Sequence, residues 1–205
     1  MPGDQTQVIG GHDMILYVAP WSSGLVAPVN TVAWGTAWGT TWVDRGYTRD
    51  GLRFRLNVTR QLVQVDQVVD PVLRIPTARD VTMGSRMAQI TGLAVQQATG
   101  QGYATTPTPA PATAGADKLD FNGLIQDQYI GIGFDVRTPG AVQAVRVIGW
   151  KGLPTGNTEI NFTTNDAATI QFEVGLVPDT DNLTGTPTAP RIATFIDIYV
   201  PTGGA

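Results

Sequence analysis

Residues able to do chemistry are few in this 205-residue chain, and their spacing does not bring them together. His12 is the sole histidine and stands in a glycine-rich N-terminal segment. A Ser–His–Asp triad or a histidine–metal site would need ordering partners that the surrounding residues do not supply. Cysteine is absent, which excludes disulfides, thiolate metal sites and a cysteine nucleophile. Only two glutamates occur, Glu159 and Glu173, and no pair of carboxylates stands out as an acid–base couple. Gly131-Ile132-Gly133 opens a dinucleotide-binding pattern, but Val136 occupies the third glycine position and a strand-like segment follows instead of a helix. Asp179, Asp181 and Asn182 begin a calcium-loop pattern that fails at Thr184 and Pro190, where a glycine and a glutamate belong. That segment therefore reads as a solvated turn. Sequons at Asn57, Asn161 and Asn182 carry meaning only in a secreted chain. The expectation is a non-enzyme with no catalytic, cofactor-binding or metal-binding residues.

Composition bounds what remains. Charged residues make up 15% of the chain, against roughly 25% in an average soluble protein. Threonine, with 27 residues, and glycine, with 24, take much of that space. A surface of Thr, Gly, Ala and Val loses little side-chain entropy when it is covered. Such a surface suits a subunit packed against its own copies, and equally an ordinary β-domain with a threonine-rich solvent face. The net charge of −4 argues against bulk attraction to nucleic acid or an anionic membrane. Charge is unevenly placed: residues 1–100 carry eight basic and seven acidic groups, residues 101–205 five and ten. The N-terminal MPGDQTQVIGG lacks the basic and apolar regions of a secretory signal, and no run reaches about 18 apolar residues. An aqueous, cytoplasmic setting without membrane contact is expected.

The elements that would position any site are strands. Leu52, Phe54, Leu56 and Val58 alternate with Arg53, Arg55 and Asn57, so the apolar set is expected to be buried and the arginines exposed or paired. Met14–Val18, Thr41–Asp44, Tyr129–Val136, Val142–Trp150, Glu159–Thr163, Ile170–Val177 and Ile192–Val200 are further strand candidates, separated by Pro/Gly/Asn turn chemistry. One short helix is predicted over Thr91–Thr99, with Thr91 as N-cap and Gly100 at the stop. The fold class is mainly β, of sandwich or barrel type, in a single domain over 1–205. Residues 1–13, the Thr/Ala/Pro-rich stretch 100–116 and the tail 201–205 are expected to be arms or loops, since their composition cannot support a core.

The most informative stretch runs from Trp34 to Gly100. Trp34, Trp38 and Trp42 recur every fourth residue among glycines and threonines that disfavour a helix. As an extended strand this spacing sets all three rings on one side. They then form a core wall, a docking surface or a sugar-binding platform. Trp38, Trp42 and Phe54 are thus candidate core or inter-subunit residues.

The order that follows resembles the major tail tube proteins of long-tailed, actinobacterial-type bacteriophages. The residues that carry the resemblance are Trp42, Gly46, Thr48, Asp50, Gly51, Asp66, Gln67, Pro71, Arg79 and the Thr91–Thr99 helix, over about 60 residues. No counterpart for 104–116 can be placed. The resemblance implies a virion tail protein, assembled in the host cytoplasm, whose hexameric rings join strands into a continuous β-barrel and stack into a tube. It implies as partners a tape-measure protein, a tail terminator and a distal tail protein. DNA would pass through the lumen without sequence-specific binding. A lumen that lets DNA slide should repel phosphate, and Gln64 and Asp66 are the candidate lumen-facing residues. Two alternatives stand beside this reading: another β-rich virion component, such as a head decoration or baseplate protein, or a sugar- or receptor-binding module built on Trp21, Trp34, Trp38, Trp42 and Trp150.

Overall fold

A computed structural model of the chain describes residues 13–22, 25, 26, 28, 34–65, 68–88, 90–99, 128–137, 143–155, 158–162, 168–180 and 191–199. Residues 1–12 of the expected N-terminal arm, the 100–116 stretch, the 201–205 tail, His12 and Asp66 lie outside the described residues. Asp13, placed in the arm from sequence, already belongs to the first strand. Among the described residues the chain is mainly β, with nine strands and one short helix. None of its described helices is long and apolar enough to cross a membrane.

The strands are β1 (Asp13–Pro20), β2 (Val43–Asp44), β3 (Thr48–Val65), β4 (Val68–Met87), β5 (Ile130–Arg137), β6 (Gln143–Pro154), β7 (Ile160–Asn161), β8 (Thr169–Leu176) and β9 (Ala193–Tyr199). All pairings are antiparallel, in the order β2-β1-β5-β6-β8-β4-β3, with β7 on β8 and β9 on β6. Strands from both sides of the 100–116 stretch enter this one sheet. β6 turns its corner: Gln143–Gly149 pair β9 while Gly152–Pro154 pair β8. The folded-back halves enclose Leu16 and Val18 of β1, Ile132 and Phe134 of β5, Met83 and Met87 of β4, and Ile170, Phe172 and Val174 of β8. This is a sandwich whose alternating residues fill one interior, as the strict buried–intermediate alternation along β8 records.

Helix α1 (Gly92–Ala98) follows β4 and buries Ala94 and Ala98 against this core. The Thr91 hydroxyl caps it, accepting from the Ala94 N–H at 3.1 Å, as the N-cap expectation requires.

Two expectations need correction here. Pro71 and Pro76 are expected to end a strand, yet Val68–Met87 form one continuous 20-residue strand. Pro71 and Pro76 do not break it because, among the described residues, β4 has a partner on one side only along this stretch, so no second ladder needs their missing N–H groups. The Leu52–Val58 alternation does place Arg53, Arg55 and Asn57 in solvent. Leu52 and Phe54 pack against the core from half-buried positions, but Leu56 is 52% exposed, since it opposes Val81 in the last row that β4 shares with β8.

Candidate assembly interface

Two features of the structure go beyond what a sandwich needs: a layer of aromatic residues over one sheet face, and a hairpin that projects past the core.

The aromatic layer covers the face of β1, β5 and β6 that points away from the main core. Tyr17 and Ala19, Ile148 and Trp150 form that face, and Leu25, Trp38 and Trp42 close over it. The Trp34–Trp42 segment is not the extended strand expected from its spacing. It turns at Trp34-Gly35, and Gly35 and Gly39 sit at φ +76° and +93°, where L side chains are strained. Trp38 and Trp42 are both buried, whereas Trp34 lies apart, its ring 5.1 Å from the Arg137 guanidinium. Trp38 stacks on Tyr17 at 4.3 Å and meets Trp42 edge-on at 5.3 Å. Trp42 donates its indole N–H to the Val26 carbonyl at 3.0 Å. Trp38, Trp42 and Trp150 are therefore core and present no sugar-binding platform, while Trp21 and Trp34 are half-buried.

Beneath Trp38 lies a fully buried ion pair that the sequence reading missed. Asp135 Oδ1 accepts from Arg146 Nε at 2.7 Å, and Asp135 Oδ2 accepts from Arg146 Nη2 at 3.0 Å and from Trp38 Nε1 at 2.9 Å. Both side chains have no exposure. The guanidinium also lies 4.5 Å from the Trp38 ring. The signal that could have found the pair is phase: Asp135 continues the Gly131–Gly133 side of β5, and Arg146 the Ile148–Trp150 side of β6. The glycines themselves are explained by the rings. A Cβ on Gly133 would overlap Cζ3 of Trp38, and one on Gly131 would stand 3.0 Å from Cη2 of Trp42.

This environment also governs Tyr17. Burial first, and then the negative charges of Asp135 and Asp44, push its hydroxyl from 10.0 up to about 12. The folded state therefore holds the proton more tightly than the unfolded chain. The stability that depends on it is fully present below pH 10 and is lost as the pH rises through about 12. Urea midpoints measured across that window should fall, and tyrosinate absorbance should show one tyrosine ionising late. Tyr17→Phe should abolish the late step.

Asp179 corrects another expectation. It is buried at 1% exposure, not in a solvated turn, and its N–H donates to the Arg191 carbonyl at 2.8 Å across an isolated bridge.

The hairpin of β3 and β4 is the second feature. β4 pairs β8 only over Val81–Met87, and the β3–β4 ladder continues beyond that to Val65 and Val68. The overhang is about 30 Å, the span of β3 from Leu56 to Val65 at roughly 3.3 Å per residue. Along it Leu56, Leu62, Val72, Leu73 and Ile75 are 43–59% exposed. β3 is also the terminal strand of the sheet order, so its outer edge is unpaired among the described residues. Gln64, a candidate lumen residue, is exposed near the far end of this hairpin. Phe54 sits at its root, half-buried against the core, and Trp38 and Trp42 are remote from it in the aromatic layer. At the opposite end of these strands, beside the Arg49–Arg86 pair, Asp50, at φ +67°, bulges β3 and pairs with Arg86 at 3.0 Å in an exposed salt bridge.

No protein-family model matches this chain, and no curated protein matches it. Among solved structures it is similar to a chain of the cryo-EM structure of the anti-feeding prophage (AFP) baseplate, 6-fold symmetrised. The likeness covers 95% of this chain and 98% of that one, at 9% identity and a TM-score of 0.48. At that level it carries no argument about function.

Proposed function

We propose that this chain is a non-catalytic structural protein of a phage-type virion that assembles with copies of itself into the stacked rings of a tail tube. The observation that carries the reading is the projecting hairpin. An isolated two-stranded ribbon is marginal in water, and large apolar side chains together with an unpaired edge invite association. Joining such ribbons between subunits covers both. The residue order from Trp42 to Arg79, with its resemblance to tail tube proteins, and the low charge content support the same reading. A head decoration or baseplate role shares these features and differs in the assembly formed.

Negative-stain microscopy of the purified protein at rising concentration tests this directly. Hollow tubes or stacked rings are expected without any added cofactor. Isolated spikes or single rings would favour the other virion roles. A protein that sediments only as a monomer of about 22 kDa at tens of micromolar would overturn self-assembly.

A further inference from the structure

A single ring holds the segment Gly35–Gly39 against the sheet. Of its five residues only Trp38 is buried, while Gly35, Thr36, Ala37 and Gly39 are exposed. None of the five belongs to a strand or helix, so no ladder of backbone hydrogen bonds fixes them. Two hydrogen bonds between described residues tie them to the sheet. Trp38 Nε1 donates to Asp135 at 2.9 Å, and the Tyr17 hydroxyl donates to the Thr36 carbonyl across a long 3.4 Å. Trp42 adds no further tie, because its indole donates to Val26, which lies outside the sheet.

The seat of the Trp38 ring is the row Tyr17–Gly133–Ile148 of β1, β5 and β6. The next row, Ile15–Asp135–Arg146, carries the buried ion pair. Closing a ring over that pair takes both charges out of water, at a cost of several kcal/mol per ion before their attraction offsets it. Lifting the ring readmits water, which returns part of the packing energy that is lost. An apolar pair at the same two positions would give no such return.

Gly35 and Gly39 flank the ring at φ +76° and +93°, and a Cβ at either would meet nothing within 4 Å. Space does not require glycine at these positions, in contrast to Gly133. Backbone conformation does, because only glycine moves between left-handed and ordinary φ at little cost. Loop residues that absorb such changes are what hinges are made of.

We propose that Gly35–Gly39 is a latch, hinged at its two glycines and keyed by the hydrogen bond from Trp38 to Asp135. The closed form dominates. In a minor open form the ring leaves its seat while the sandwich stays folded, and Tyr17, Ile148 and the hydrated Asp135–Arg146 pair become accessible. The latch is complete within one copy, so it stands apart from the self-assembly reading.

The chain has no cysteine, so single introduced thiols report on the two interiors separately. Ile148→Cys places a thiol beside the Trp38 seat, and Val147→Cys places one in the main core, on adjacent buried residues of β6. In dilute, folded, full-length chain a thiol reagent should label the Ile148→Cys variant about a hundredfold faster than the Val147→Cys variant. Trp38→Phe keeps a ring and removes the N–H, and should raise that ratio about tenfold, as for a lost hydrogen bond to a charged group. Gly39→Ala strains only the closed backbone and should raise it by a similar factor. A loss of global stability alone speeds the Val147→Cys thiol at least as much, so it cannot raise the ratio. Deuterium exchange in the unaltered chain, followed by NMR, reads the same opening without a new thiol. The Trp38 indole N–H should exchange about a hundredfold faster than the slowest amides of β8, once intrinsic rates are divided out. Equal labelling of the two thiols, or an indole as slow as those amides, would overturn the latch. So would a ratio that neither Trp38→Phe nor Gly39→Ala changes, since the opening would then not run through Trp38.

Discussion

Replacing Asp135 with alanine is expected to destabilise the fold by about 3–5 kcal/mol, the usual cost of leaving a buried charge without its partner. Asp135 accepts three hydrogen bonds, two from Arg146 and one from the Trp38 indole, and neither charged side chain reaches solvent. The variant deprives the guanidinium at the centre of the aromatic layer of its carboxylate and removes the acceptor that orients Trp38. Arg146→Met in the same chain should recover much of the loss, because an apolar pair of similar volume avoids the desolvation cost entirely. Urea denaturation of the single and double variants measures both effects. Near-ultraviolet circular dichroism should report the loosened tryptophan in the Asp135→Ala chain and a quieter change in the double variant. If Asp135→Ala costs less than about 1 kcal/mol, water reaches the pair and the layer is not a second core.

Gly133→Ala is expected to cost about 1–3 kcal/mol or more, a large effect for one added methyl group. The new Cβ would overlap the Trp38 ring at Cζ3 and lie 2.7 Å from its Cη2. That ring cannot easily yield, held by Tyr17 on its face, Trp42 at its edge and the Asp135 carboxylate at its nitrogen. Gly131→Ala should cost less. Its nearest contact is the Cδ2 methyl of Leu25 at 2.6 Å, the far end of a flexible side chain. Trp38→Leu should relieve part of the Gly133→Ala penalty, since a smaller side chain opens the volume the methyl needs. Thermal unfolding of the four chains measures the coupling. Equal, small losses at both glycines would mean that the Trp34–Trp42 segment lifts away from the sheet at little cost.

These two results concern the body of the protein, and the hairpin depends on it only at its root. Variants in the aromatic layer should lower stability without changing the hairpin proposed for assembly. The separation matters for reading any loss of tubes, because an unstable subunit also fails to assemble.

Much of the fold was legible in the residue pattern. Period-two alternation located β1, β5, β6, β8 and β9 to within a few residues, although only β8 keeps a strict buried–intermediate alternation, while β1, β5 and β6 are covered on both faces, by the core and by the aromatic layer. Thr91 and the residues after it specified α1 through local capping chemistry. What depended on distant partners was not legible. Nothing local says that Asp135 meets Arg146, or that Gly133 is a glycine because Trp38, 95 positions earlier in the chain, lies over it. The spacing of Trp34, Trp38 and Trp42 was visible, but two glycines at positive φ, not alternation, decide which rings turn inward. The hairpin shows the same limit from the other side. Its strands alternate like buried ones, yet pairing in the body stops at Val81, so Leu56 and Ile75 are left in solvent. Alternation records that a face is apolar, and only the tertiary structure decides whether the same chain or another molecule covers it.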